Sequence, residues 1–304
     1  MTIDHDSAIC ADTPVRTMAA DTRSATRPGE VEREFLANLG RAAGGAIVFA
    51  LPVLMTMEMW SLGASLERWR LAVMLLGALP LLVGLSHFVG FEETDTWVDD
   101  LRDAFIAIAV GFTTSAVVLT LLGLIGPDRS FDETLGSILI QTVPASFGAI
   151  IAQGQLGQTD AADERANRKA GYGGDLLFNA AGAVFLSFNI APTEEIDLIA
   201  ASMTPIHAIA LVIVSVLAMH AIVYVVRFAG QSRLRPEGHG FWSLFVRYTL
   251  PGYAIALISC AAMLWVFGRL DDYGASSALR LVVVLGFPAA VGAAFARLIV
   301  GGQS

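Results

Sequence analysis

The sequence predicts an all-α fold: a polytopic membrane helix bundle of eight transmembrane helices, arranged as a four-plus-four parallel internal repeat. Three observations carry this expectation. The chain of 304 residues is 55% hydrophobic and 15% charged, with a mean hydropathy of +0.63, whereas soluble domains carry about 25% charged residues. Its apolar residues come in runs matching the roughly 20 residues a helix needs to cross a bilayer core about 30 Å thick, without the alternation of a β-barrel strand. Two stretches in different halves of the chain also read alike in order and spacing.

Residues 1–34 are rich in Pro, Thr, Ser, Asp and Arg and lack an apolar h-region, so they read as a disordered cytoplasmic leader and not as a secretory signal. The eight apolar runs are 42–63, 69–91, 103–126, 134–153, 174–192, 203–229, 241–268 and 276–300. They divide the chain into a first four-helix repeat (35–152), a cytoplasmic linker (153–173) and a second four-helix repeat (174–304). The polar stretches "EETDTWVDDLRD" (92–103) and "QGQLGQTDAADERANRKAGYGG" (153–174) read first as solvated connectors.

Placing the N-terminus in the cytoplasm puts fourteen basic residues on the inner side, and leaves five outside: Arg68, Arg70, Arg129, Arg269 and Arg280. That asymmetry follows the positive-inside rule and sets both termini in the cytoplasm of a bacterial inner membrane. Trp60, Trp69, Trp97, Trp242 and Trp265 fall near predicted span ends, where an interfacial aromatic belt lies.

The repeat rests on particular residues. "GAIVFALPVLMTME" (45–58) aligns without gaps on "GAVFLSFNIAPTEE" (182–195), pairing Gly45 with Gly182, Thr56 with Thr193 and Glu58 with Glu195. "PASFGAIIA" (144–152) matches "PAAVGAAFA" (288–296), with Pro and Gly in register. An even number of helices per repeat leaves both halves the same way up, related about the membrane normal. Gly148/Ala152 and Gly292/Ala296 have the small-xxx-small spacing that lets helix backbones approach closely.

Candidate functional residues follow from the expense of polar groups in a membrane, about 2.5–3.5 kcal/mol for a central carboxylate on insertion scales. Glu58 and Glu195 are candidates for ion or proton binding, because the repeat gives them equivalent outer-edge positions. Glu194 stands beside Glu195 and His207 at a similar depth, while Asn189 faces the bundle on the fifth span. A plainer reading makes Thr193 an N-cap, with the acidic pair complementing a helix dipole. His87 and His220 read first as helix–helix hydrogen-bond partners.

A net charge of −9 excludes a nucleic-acid partner, which requires a basic stripe. Cys10 and Cys260 make neither a disulfide framework nor a metal pattern. No hydrolase, zinc or nucleotide motif appears, so neither a cofactor nor an enzymatic activity is expected. The expected partners are the lipid bilayer and a small cation or proton.

At "LPVLMTMEMW" and "FNIAPTEEIDLIAASMTPIHA" the chain resembles a family of bacterial integral membrane proteins classed as a domain of unknown function, from about residue 35 to 300. The resemblance implies a location and a fold, and no activity. The leading expectation is a transporter or channel for a small cation or proton. The alternative is a non-transporting membrane sensor or scaffold, and an intramembrane enzyme comes third.

Overall fold

The computed structural model describes residues 28–89, 96–156, 172–230 and 241–301, and every regular element among them is a helix. The helices are α1 (Pro28–Leu54), α2 (Met57–Ser65), α3 (Arg68–Val89), α4 (Trp97–Leu121), α5 (Phe131–Leu156), α6 (Tyr172–Ile190), α7 (Glu195–Ser202), α8 (Pro205–Gly230), α9 (Phe241–Leu244), α10 (Leu250–Val266) and α11 (Ala275–Gly301). A π-helical turn, Phe245–Thr249, joins α9 to α10. Its cause is local. Pro251 has no N–H to give to the carbonyl four residues back, and Leu250 N–H bonds Phe245 O instead.

Seven of these helical segments are long and apolar enough to cross a membrane, and α6 with α7 forms a further candidate bent by 93°. The chain is thus an integral membrane protein with several spanning helices. Aromatic residues mark their ends as expected: Trp69, Trp97, Trp242 and Trp265 lie exposed within the first or last two residues of a helix or helical segment.

Two helices organise the packing. The span in α5 is 83% buried, against 22% for the one in α8, so α5 forms a core post and α8 faces lipid. Around α5 pack α1, α2, α3 and α4, while α6, α7, α8 and α10 surround α11. Each post uses its small residues as the sequence suggests. A Cβ added at Gly45 or Gly148 would strike the other's backbone, and one added at Gly182 or Gly292 would do the same across the α6–α11 contact. Ala152 and Ala296 occupy matching places over Gly45 and Gly182. No side chain larger than hydrogen fits at either crossing.

The two groups meet through aromatic pairs, Phe49–Phe185 at 5.1 Å and Phe88–Phe178 at 5.3 Å. Arg70 adds a polar link, donating to Trp265 O and to Asp271 Oδ2, each at 2.6 Å.

Three boundaries differ from the sequence reading. The first run, taken as continuous over 42–63, breaks at 55–56, because Pro52 withholds an N–H just before the helix ends. The described part of the acidic connector is helical from Trp97 and carries buried Asp100 and Asp103. Helix α1 begins at Pro28, inside the segment read as leader. Residues 1–27 and most of the 153–173 linker lie outside the described residues.

Candidate functional site

The features that invite a functional reading gather where α1 and α6 stop short. At this end Arg68 meets Asp132, Arg70 meets Asp271, and Arg269 meets Asp197. Arg280 donates to Met203 O at 3.3 Å. Four of the five arginines assigned to the outer side are therefore held by acceptors of the protein.

After α1, Thr56 Oγ1 donates to Pro52 O at 2.5 Å and Trp60 Nε1 to Leu54 O at 3.1 Å. From α5, Gln141 Nε2 reaches Val53 O at 3.3 Å, and Ser137 Oγ reaches Trp60 O at 3.2 Å. Gln141 is fully buried, and its Oε1 has no hydrogen-bond partner.

After α6, Thr193 Oγ1 donates to Ile190 O at 2.9 Å. Arg269 then closes this end, donating to Pro192 O and to Asp197 Oδ2 on α7. Tyr273 donates to Asp197 Oδ1 at 3.1 Å, and that hydrogen bond to a carboxylate raises the phenol above its ordinary value.

Both threonines thus close the helix behind them. The expected N-cap at Thr193 is corrected: Glu194 holds the cap position of α7, and Thr193 turns back because the last carbonyls of α6 have no intrahelical partner. Thr56 holds the cap position of α2 and also spends its hydroxyl backwards.

Glu58 lies in the first turn of α2 and is half-buried, whereas Glu195, the first residue of α7, and Glu194 are exposed. Among the described residues no hydrogen bond or ion pair joins Glu58 to Glu195. His207 is exposed in the first turn of α8, its Nδ1 3.0 Å from Thr204 Oγ1. It lines an open groove between α7 and α8 with Ile199, Met203 and Leu211. Asn189 gives Nδ2 to Phe185 O at 2.6 Å, and its Oδ1 has no partner.

Two polar clusters lie elsewhere. At the opposite end His87 Nδ1 lies 2.9 Å from Asp100 Oδ2, with its ring stacked on Trp97, and Ser86 Oγ lies 3.2 Å from Asp103 Oδ2. The aspartates sit in the first two turns of α4, where the helix pole favours negative charge, and the histidine sits in the last turn of α3. Within the second group, His220 Nδ1 lies 2.7 Å from Thr249 Oγ1 in the π turn, and buried Asn179 lies against Gly252. Both histidines therefore join helices, as expected. The i, i+3 spacing of Asp100 and Asp103 was a signal that they share a helix face.

The chain matches, over residues 38–300, the family described as "Putative integral membrane protein (DUF2391)", a domain of unknown function. It belongs to that family. No curated protein and no solved structure matches it. Family membership agrees with the bundle of apolar helices, and assigns no role to the residues at the breaks.

Proposed function

We propose that the protein is a multi-pass inner-membrane transporter or channel for a small cation or proton, built from two parallel four-helix repeats. One observation carries this reading: two long helices stop at the same end of the bundle, and each is followed by a short helix with a carboxylate, Glu58 or Glu195, in its first turn. Interrupted helices expose carbonyls and helix poles inside a membrane, and secondary transporters bind their ions with such groups. The paired glycine crossings around α5 and α11 support the duplication. Glu58 and Glu195 supply the charge on this reading, with His207 and Asn189 as neighbours in depth. Glu194, aligned with Met57, serves only as a cap.

Proteoliposome flux across Na+, K+, Li+ and H+ gradients tests it. Glu58→Gln and Glu195→Gln are each expected to cut flux at least tenfold while the protein still folds and inserts, with Glu194→Gln near wild type. No flux for any of these ions, or full flux in both variants, would favour the sensor or scaffold reading. Orientation has its own test. Single cysteines at Asp132 and Asp271 should label from outside intact cells, and one at Asp160 should not.

A further inference from the structure

The break after α6 carries a fixed positive charge, on Pro192 O, while the last carbonyl of α6 itself, Ile190 O, is met by Thr193 Oγ1; among the described residues no such charge meets the break after α1. Arg269 binds Pro192 O and pairs with Asp197. At the end of α1 the donors among the described residues are neutral: the Thr56 hydroxyl on Pro52 O, Trp60 on Leu54 O, and Gln141 with the Thr56 N–H on Val53 O. Yet a helix C-terminus carries roughly half a negative elementary charge whichever helix it ends. In the second group that charge has a counter-ion built into the chain.

Gln141 makes the difference sharper. It is wholly buried, it is aimed at the α1 end through its bond to Val53 O, and its Oε1 is unpaired. An amide oxygen left so loses its hydration without compensation, and such a group calls for an explanation in a water molecule or an ion. The register of "PASFGAIIA" on "PAAVGAAFA" places Leu285 opposite Gln141. Leu285 is also wholly buried. So the group with an arginine at its helix end has an apolar residue at this position, and the group without one has an amide.

We propose that the end of α1 is a binding site for a monovalent alkali cation, held by Gln141 Oε1 with the carbonyl oxygens of Val53 and Leu54, and that Arg269 is its permanent substitute in the second group. These are hard oxygen donors at the negative pole of an interrupted helix, the setting in which membrane proteins hold Na+. None of the three is a carboxylate, whereas Mg2+ and Ca2+ sites are built on carboxylates. Half a turn of the Gln141 amide exchanges its nitrogen for its oxygen, bringing Oε1 towards Val53 O. Two acceptors face each other only if a cation or a donating water lies between them, and the negative pole of the helix end favours the cation.

The site rests on the reading of the α1 break as a cation site, but it requires binding and not transport, so the two fail separately. Purified full-length protein in choline chloride is titrated with LiCl, NaCl and KCl at constant ionic strength, following the thermal midpoint and tryptophan emission. At least one alkali cation should raise the midpoint saturably and change the emission, while choline does neither. Trp60→Phe should abolish the emission change and keep the midpoint shift. Gln141→Leu installs the residue already tolerated at 285 and should abolish the shift in a folded protein; Gln141→Glu should keep it and bind at least tenfold more tightly. No saturable response to any of the three ions, or a Gln141→Leu protein that responds like wild type, overturns the site. Binding without flux keeps the site and removes the transport reading. Flux by a protein that shows no such binding keeps transport and removes the site.

Discussion

The break after α1 spans residues 55–56 and is closed by uncharged donors, whereas the break after α6 spans 191–194 and is closed by a guanidinium. Both follow from proline. Pro52 sits inside the last turn of α1 and weakens it from within. Pro192 follows α6 and bars its continuation, since the residue before a proline is biased away from helical geometry. The longer second gap lets α7 turn by 93° and brings Asp197 to Arg269. The difference shows that two helix breaks at one end of a bundle can satisfy their orphan carbonyls in different ways, and on the site proposed above it separates an end closed by a guanidinium from one that takes a cation.

The largest expected effect tests what the two groups share. Val at Gly148 or at Gly292 would drive a side chain into a facing backbone, and each should destabilise by about 3 kcal/mol or more, read as lost monodisperse protein and a lower thermal midpoint. A severe effect at only one of them would break the equivalence of the crossings.

Next comes the contrast in charge. Arg269→Met removes the ion-pair partner of Asp197 and leaves it only the Tyr273 hydroxyl, and with both side chains only 23% exposed the loss should be about 3 kcal/mol. Gln141→Leu should be neutral or slightly stabilising in choline, because it removes an unpaired buried amide. Opposite signs at the two ends, measured by thermal unfolding in one detergent, would sharpen the comparison. Equal losses would mean that Gln141 is as well satisfied as Arg269.

A double-mutant cycle isolates the second closure. Arg269→Met with Asp197→Asn should cost less than the sum of the single changes, by about 1–3 kcal/mol of coupling. Additivity would show that Pro192 O, and not Asp197, holds the guanidinium. The smallest effects belong to Thr56→Val and Thr193→Val, each about 1 kcal/mol for one lost hydrogen bond. A clear difference between them would show that the two hydroxyls do unequal work.

Much of the fold is legible in the residues. Apolar length located the spans, and four of the five tryptophans stand at helix ends where interfacial chemistry puts them, whereas Trp60 lies half-buried within α2 and donates to Leu54 O. The two glycine crossings appear where small residues recur at matched spacing, since a missing Cβ admits a backbone whatever the surroundings. The candidate site was harder to read. Pro52 marked a weak point in α1, but four described helices carry an internal proline, so proline alone does not announce a break. Thr193 looked like an N-cap because the residue before an acidic helix start usually is one, and the direction of its hydroxyl depends on a carbonyl placed by the preceding helix. Gln141 gave no signal, being one polar residue in an apolar run.

What the sequence determined by itself is whatever depends on neighbours along the chain: an integral membrane protein of apolar helices, their approximate ends, the small-residue faces and the places where proline interrupts hydrogen bonding. Tertiary structure alone decided which separated groups meet. It brought Arg269 across 72 positions to Asp197 and Gln141 across 88 to Val53, and it buried Asp100 and Asp103 against the end of α3. The physical reason is that helix periodicity and transfer energy are local sums over a segment, whereas the partner of a buried polar group is fixed by the packing of other helices around it.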